Sequence, residues 1–476
     1  AKQSSSTTAL GLESLAAARP NYTKYSNYFH GRHDLQFASP SYRDRFGRLI
    51  KAMRYNRCQT VVDSISDRLQ VESWQTDAHS EEDTANEAAN EQWIAARGDF
   101  LQGLVHVEAL RSGDAYLIVW PSPDDEMTPL WRVQRADSCR IITDDETAKP
   151  VMAIKCWQVS RGADKGKWRL TIYDDMVITR WITRKDHDIQ PDSAGAWEPF
   201  TSDGEPSGVN PYGVLPVIHF PNNPQFQGEC GISELEDLIP LQDGLNYSIW
   251  QLMVAGEFSA WPMTWATGAA PQIDPLTGQT AELFKAGIDR FLTVAEPMAK
   301  IGQLPGMDLN TFIETQESWD QKISRVSRVP VHWLGVIGQL PSGESLKTAE
   351  SPFVGKLRDR QLAFGAAWAD AMKLALTIAG QTGEAYDTLE PVWRSPEPRS
   401  DSEIWMLAQQ KQAVGVPQEQ IWREAGYSEE QVAEFLELNE AKAKRDAEQF
   451  GRAFGQGRDD PFAPDEEQSP NNVSDL

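Results

Sequence analysis

Cysteine is scarce in this chain. There are four in 476 residues, Cys58, Cys139, Cys156 and Cys230, widely spaced and never as a C-x-x-C pair. That excludes a disulfide scaffold and a cysteine-based zinc site, and the four read as buried free thiols of a reducing compartment. Long apolar runs are missing too. No stretch approaches the roughly 18 residues of a membrane span, and the opening AKQSSSTTAL lacks the apolar core of a signal peptide, so the reading is of a soluble, intracellular protein. Positive charge is in short supply, with 45 Lys+Arg against 70 Asp+Glu and a formal net charge of −25. Tight phosphate binding needs basic residues that displace counterions, so this balance speaks against a conventional DNA-binding protein and against an anionic membrane surface. Histidine is rare as well. Among seven residues there is no H-E-x-x-H, and His30-x-x-His33, in YSNYFHGRH, is an isolated pair without further ligands. No G-x-S-x-G occurs, and Cys58 and Cys156 have no histidine nearby.

What is present is ample core material: 40% of residues are hydrophobic and 17 are Trp, enough for two to four domains at this length. The Ser/Thr-rich start, residues 1–20, is expected to be a disordered arm. From Pro40 to about Leu69, Phe46, Leu49, Ile50 and Met53 keep helical spacing beside Arg43, Arg45, Arg48, Lys51, Arg54 and Arg57. This basic patch reads as a solvated face or a contact with an acidic neighbouring subunit, ahead of a nucleic-acid site. A second helix is expected over about 79–111, opening on Glu81, Glu82 and Asp83 and ending at Ser112-Gly113. From Asp114 to Phe220 the segments AYLIVW, PLWRVQ, CRIITD, VMAIKCWQVS, KWRLTIYD and MVITRWIT read as strands. Their tryptophans (Trp120, Trp131, Trp157, Trp168, Trp181) read as core and sheet packing rather than a sugar-binding face. Helical spacing returns after Gly231 through Leu235, Leu238, Leu241, Leu245, Ile249 and Leu252, with Pro240 expected to kink or restart the helix. A Gly/Pro-rich stretch with strand-like patches follows, then a helix over about 308–329. A loop leads to a helix reaching Ile378, some 45 Å long if it spans about 30 residues. Pro352 should begin that helix, with Ser351 as N-cap, or bend one already started near Ser345. Short helices over about 401–445 and an acidic, Pro-containing tail close the chain.

Two constellations could carry chemistry. The pairs Asp124-Asp125, Asp144-Asp145 and Asp174-Asp175 could hold the metals of an acidic, metal-dependent nuclease or hydrolase. All three sit at strand ends or turns, where Asp ordinarily caps backbone N–H groups. The stretch Gly338-Gln339-Leu340-Pro341-Ser342-Gly343-Glu344-Ser345 is one residue away from the phosphate-binding G-x-x-x-x-G-K-[ST]. Glu344 occupies the lysine position and would repel the anion that such a loop cradles. It therefore reads as a flexible connection between helices. Gly338, Pro341 and Gly343 supply the turn and freedom of φ, and Gln339, Ser342 and Ser345 small uncharged contacts.

In NYFHGRHDLQF, RYNRCQTVVDSISDRLQVESW, GISELEDLIPLQDGLN, SGESLKTAES and WRSPEPRSDSEI, in this order, the chain resembles the portal proteins of tailed bacteriophages with long, non-contractile tails. The resemblance spans roughly residues 21–445. It implies an α+β subunit with a mixed helical and β-rich wing, a two-helix stem, a small α/β clip, a long helix and a helical crown. Wing would be 21–230, stem 231–260 and 308–329, clip 261–307, tunnel loop 330–346, long wing helix 347–384, crown 385–445 and acidic tail 446–476. It implies no enzyme and no cofactor, but a homo-oligomeric ring, typically of twelve subunits, at one capsid vertex. Double-stranded DNA would pass its channel during packaging and ejection, with Ile337, Gly338, Gln339, Leu340, Pro341, Ser342, Gly343, Glu344 and Ser345 lining it. Further partners would be the terminase large subunit, a head–tail adaptor, and the major capsid protein and scaffold, with assembly in the host cytoplasm and residence in the virion.

Overall fold

The computed structural model describes residues 2–33, 55–76, 83–144, 146–191, 194–201, 204–260, 264–267, 298, 300–303, 308–335, 343–397, 401–425 and, with interruptions, 427–445. They fall into two compact units, Ala1–Pro396 and Glu397–Leu476.

The first unit opens on helix α1 (Lys2–Phe29), where a disordered arm to residue 20 was expected from the Ser/Thr content. The helix forms because Leu12 and Leu15 pack on Met152, Ile154 and Cys156. Arg19 reinforces this, donating to the carbonyls of Asp137 (2.8 Å) and Cys156 (2.9 Å). Helix α2 (Arg57–Ser66) is capped by Asn56, whose side chain accepts from the Cys58 N–H at 3.1 Å. Strand β1 (Val71–Gln75) follows. The single helix expected over 79–111 is two, α3 (Asp83–Ala95) and α4 (Gly98–Ser112). The chain breaks at Arg97, in the left-handed region with φ 56°, and the Trp93 indole lies over the bare Cα of Gly98. A Cβ there would come within 2.1 Å of the ring.

The expected strands are present: β2 (Asp114–Pro121), β3 (Pro129–Gln134), β4 (Cys139–Thr143), β5 (Pro150–Gln158), β6 (Trp168–Tyr173) and β7 (Val177–Thr183). Short strands β8 (Trp197–Pro199), β9 (Ser207–Val209) and β10 (Val217–Pro221) complete two antiparallel sheets, ordered β10-β2-β3 and β4-β5-β6-β7-β8, with β9 also on β7. Strand β2 is central and buried from Asp114 to Val119, as its unbroken apolar run requires. Helix α5 (Ile239–Ala260) leads into β11 (Thr264–Thr267); β12 (Lys300–Gln303), α6 (Asn310–Ser327), the long helix α7 (Gly343–Ile378) and β13 (Glu390–Trp393), which pairs with β1, follow.

Helix α7 packs its middle on the β10-β2-β3 sheet. Trp368 is the fully buried centre, with ring centroids of Phe220 at 4.8 Å, Trp93 at 5.1 Å and Trp131 at 6.0 Å. Its Nε1 donates to His106 Nε2 at 3.0 Å, and His106 Nδ1 donates to the Leu69 carbonyl at 3.0 Å. The second unit contains α8 (Asp401–Ala413) and α9 (Gln418–Glu424) around Ile421 and Val432, with Phe435 against Trp422 and Tyr427.

Candidate channel site

The portal-like reading places its site on α5, α6 and the connection to α7. Helix α5 starts at Ile239 rather than at Gly231, so Pro240 lies in the first turn, where its missing N–H has no intrahelical partner to lose. The preceding turn is held by Ser233, whose Oγ accepts from the Leu235 N–H at 3.0 Å. Helices α5 and α6 form an antiparallel hairpin, because the start of α5 meets the later half of α6. Trp319 Nε1 donates to Ser248 Oγ at 2.8 Å, and the Trp319 ring lies on Gly244, where a Cβ would come within 2.7 Å. At the far end, β11 and β12 pair antiparallel with Thr264 opposite Gln303 and Thr267 opposite Lys300.

The near end of the hairpin is tied to the core by Arg57. Its Nε and Nη2 reach both oxygens of Asp320 at 2.8 and 2.9 Å, a bidentate geometry that holds a guanidinium and a carboxylate together when buried. The Arg57 N–H donates to Gln242 Oε1 at 2.7 Å, so α2 grips both helices. The end of α1 and the turn after it join them: Tyr28 OH donates to Asp243 at 3.0 Å, and Asn246 Nδ2 donates to His33 Nε2 at 3.0 Å. The isolated His30/His33 pair is thus used in packing. His33 stacks on Tyr28 at 4.1 Å, and His30 sits edge-on to Phe29.

After α6, Arg328 turns left-handed with φ 62°, and a short 3-10 turn, Val331–Leu334, ends at Gly335 with φ 81°. Arg57 Nη2 also donates to the Leu334 carbonyl. His332 Nε2 lies 3.3 Å from Glu350 Oε1, and Trp333 meets Phe353 edge-on at 5.1 Å with Arg68 over its ring at 4.8 Å. Both feet of the connection are therefore fastened to one another: the turn before it to the second and third turns of α7. Of the residues named for the channel, Ile337, Gly338, Gln339, Leu340, Pro341 and Ser342 lie outside the described residues, and Gly343, Glu344 and Ser345 form the first turn of α7. Gly343 is thus helical, and among the described residues of the connection Gly335 is left-handed.

Helix α7 starts nine residues before Pro352 and runs through it, so the start at Pro352 with Ser351 as N-cap is corrected. Phe353 on Trp333 and Glu350 beside His332 hold the turns on either side of the proline in helical register. Further along, Glu234 is buried between Lys356 and Arg360, with Arg360 Nη2 at 2.9 Å. Burial alone would raise the Glu234 carboxyl, but the two cations hold it below the usual carboxylate range.

The outward face of α6 carries Asn310, Glu314, Glu317 and Gln321, at steps of four, three and four. That part of the helix, Asn310 to Gln321, carries no cation and repels a phosphate backbone, whereas Lys322 and Arg325, further along, are exposed as well. Among the described residues, which leave out Asp145, the rival chemistry has no centre. Asp125 accepts from the Met127 N–H and the Thr128 hydroxyl, and Asp144 from the N–H groups of Glu146 and Thr147, as turn-capping Asp residues do. Among the described residues no three His, Cys, Asp or Glu side chains converge on a metal position, and no helix is long and apolar enough to cross a membrane. Cys58, Cys139 and Cys156 are buried, whereas Cys230 is only partly so. Burial pushes the thiols of Cys58 and Cys139 up to about 12 and that of Cys156 to about 11.

The residues that fasten the connection escaped the sequence reading. His332 and Glu350, or Trp333 and Phe353, are too far apart in sequence for any periodicity to pair them. Arg57 was read as one more member of a solvated basic face.

Comparison with known proteins bears on the whole chain. Portal proteins of Mycobacterium phages D29 and L5 are each 25% identical over 398 residues, covering 80% of this chain and 78% of theirs. Among solved structures, the neck of an empty gene transfer agent particle aligns with TM-score 0.44 and 13% identity, over 80% of this chain and 92% of that one. The neck of a native particle aligns with TM-score 0.40 and 16% identity, over 69% and 80%. The model of one family, phage portal protein of the SPP1 Gp6-like type, matches residues 12–449. A match of that extent takes in both large sheets, the helix hairpin, the long helix and the helices α8 and α9 of the second unit, and on it the chain belongs to the phage portal protein family.

Proposed function

We propose that this portal subunit forms a closed ring of about twelve copies, in which the α5–α6 hairpin is the stem and residues 336–345 line the narrowest part of a DNA channel. Residues 261–307, which include β11 and β12, are then the clip that meets the terminase motor and later the head–tail adaptor. Residues 21–230 are the wing that meets the major capsid protein and scaffold. The helices from 385 onward are the crown. The observation that supports the channel assignment is the fastened pair of feet: His332–Glu350 and Trp333–Phe353 tie the turn before residue 336 to the early turns of α7.

The mechanism follows from what this chain has little of. DNA that must move inward and then outward is best held weakly, and each phosphate neutralised by a cation adds affinity and so drag. The first part of α6, with Glu314 and Glu317 exposed and no cation before Lys322, supplies low drag. The chain hydrolyses nothing; packaging energy comes from a separate motor.

The test is genome content. Gln339→Ala and Ser342→Ala should leave rings and packaging intact. Gly335→Val, which forces a β-branched residue into the left-handed region, should give normal rings that package or retain less DNA. Full packaging by Gly335→Val, with residues 336–342 found on the outer surface of the ring, would remove the channel assignment.

A further inference from the structure

Strands β4, β5, β6 and β7 pair antiparallel in sequence order, so their connecting turns fall alternately at the two ends of one sheet. The two ends differ in sign. One carries Asp144, Glu146, Asp174 and Asp175 beside Lys149. The other carries Arg161, Lys165 and Lys167 of the β5–β6 turn, with Arg184 and Lys185 just after β7. Lys167 is taken up by Asp164 at 3.0 Å. Arg161, Lys165, Arg184 and Lys185 are exposed, and none of them forms an ion pair among the described residues. A solvated surface mixes both signs, so in a chain of formal net charge −25 this gathering of cations needs a reason. The turns that carry them are also held fast. The His187 N–H donates to the Gly166 carbonyl at 3.3 Å, and the His187 carbonyl accepts from Trp168 Nε1 at 2.8 Å and Gln158 Nε2 at 3.0 Å. Thr183 Oγ1 donates to the Lys185 carbonyl at 2.8 Å, and buried Gln190 donates to the Leu12 carbonyl at 3.2 Å, which closes the second turn on α1. Between these fastened points Ile189 stands 80% exposed.

From this we infer that the β5–β6 turn and residues 184–189 are the part of the wing that docks on an acidic segment of the major capsid protein. The inference rests on the wing reading given above and narrows it to one end of one sheet. Ile189 supplies an apolar anchor inside a charged rim, which is the anatomy of a protein interface. Asp186 and Asp188, exposed among the cations, repel a uniform polyanion such as duplex DNA, whereas a protein partner meets both signs. Turns that are ordered before docking lose little entropy in it. A ring that stays at its vertex needs a partner that stays with it, which selects the shell over a scaffold that assists assembly.

The experiment uses the full chain in assembling phage heads. Lys165→Glu with Arg184→Glu puts one charge reversal on each turn, and Arg132→Glu with Lys149→Glu makes the same change of charge on exposed residues elsewhere in the wing. Native mass spectrometry reads the rings, circular dichroism checks the fold, and the ratio of portal to capsid protein in purified heads reads docking. The expected result is normal rings for both variants, with portal content about tenfold lower for Lys165→Glu/Arg184→Glu and unchanged for the control. In otherwise wild-type protein, a photo-cross-linking residue at position 189 should attach to the major capsid protein, and this decides the matter should the double variant fail to fold. Four results would overturn the docking surface and leave the wing reading in place. They are full portal content in the double variant, loss of rings by the folded double variant, cross-links from 189 to scaffold or to another portal copy, and a fall in duplex-DNA affinity by fluorescence anisotropy in place of a fall in portal content. If cross-linking residues at 132, 149 and 189 all miss capsid protein and scaffold, the wing reading falls with it.

Discussion

His106 is held neutral by its surroundings: burial pushes its pKa down to about 3, while one ring nitrogen accepts from Trp368 and the other donates to Leu69. The unfolded chain takes up a proton on this side chain below about 6.5, and the folded chain does not until about 3. The stability it contributes is therefore complete above 6.5 and is lost as pH falls through that window, by about 1.4 kcal/mol per pH unit. Urea unfolding at pH 7 and pH 5 should differ by about 2 kcal/mol more in wild type than in His106→Gln, which keeps one donor and one acceptor. Parallel behaviour of the two proteins would contradict this. Glu234 is the second sensitive residue. Glu234→Gln leaves Lys356 and Arg360 buried without an anion, at a cost of about 3–5 kcal/mol. A urea midpoint corresponding to less than about 1 kcal/mol would show that water or rearrangement compensates.

At the scale of elements, the stem hairpin depends on a glycine inside a helix. An exposed helical Gly→Ala change would stabilise by about 1 kcal/mol through propensity. At Gly244 the added Cβ meets the Trp319 ring at 2.7 Å, an overpacking that costs about 1–3 kcal/mol. Gly244→Ala should therefore destabilise, read as a lower thermal midpoint, and a raised midpoint would mean that Trp319 is free to move. How far the sequence revealed these elements varied with the kind of signal. The six main strands were legible because β-branched and aromatic runs alternate with turn residues. Helix α1 was hidden because Leu12 and Leu15 stand among Ser, Thr and Ala, and only the sheet they cover reveals their purpose. The break at Arg97 was hidden because Arg97 and its neighbours form no firm turn signal, and only the packing of Trp93 over Gly98 shows why a bare Cα is needed there. One glycine of the near-P-loop misled: Gly343 starts a helix, while Gly335, ahead of the motif, takes a left-handed conformation.

For the whole molecule, membership of the portal family makes this chain a structural component of the phage particle, and the deficit of cations suits the weak hold on DNA proposed for its channel. Purified protein should show no ATP hydrolysis, since Glu344 stands where a phosphate-binding lysine would be needed. Turnover that persisted through purification and vanished on changing Gly343 would contradict that. The central claim is the ring, and native mass spectrometry of the purified chain, paired with negative-stain images, addresses it most directly. Closed rings of about twelve copies with a central hole are expected, and rings of a neighbouring size would still fit. Monomers and dimers alone, across protein and salt concentrations, would contradict it.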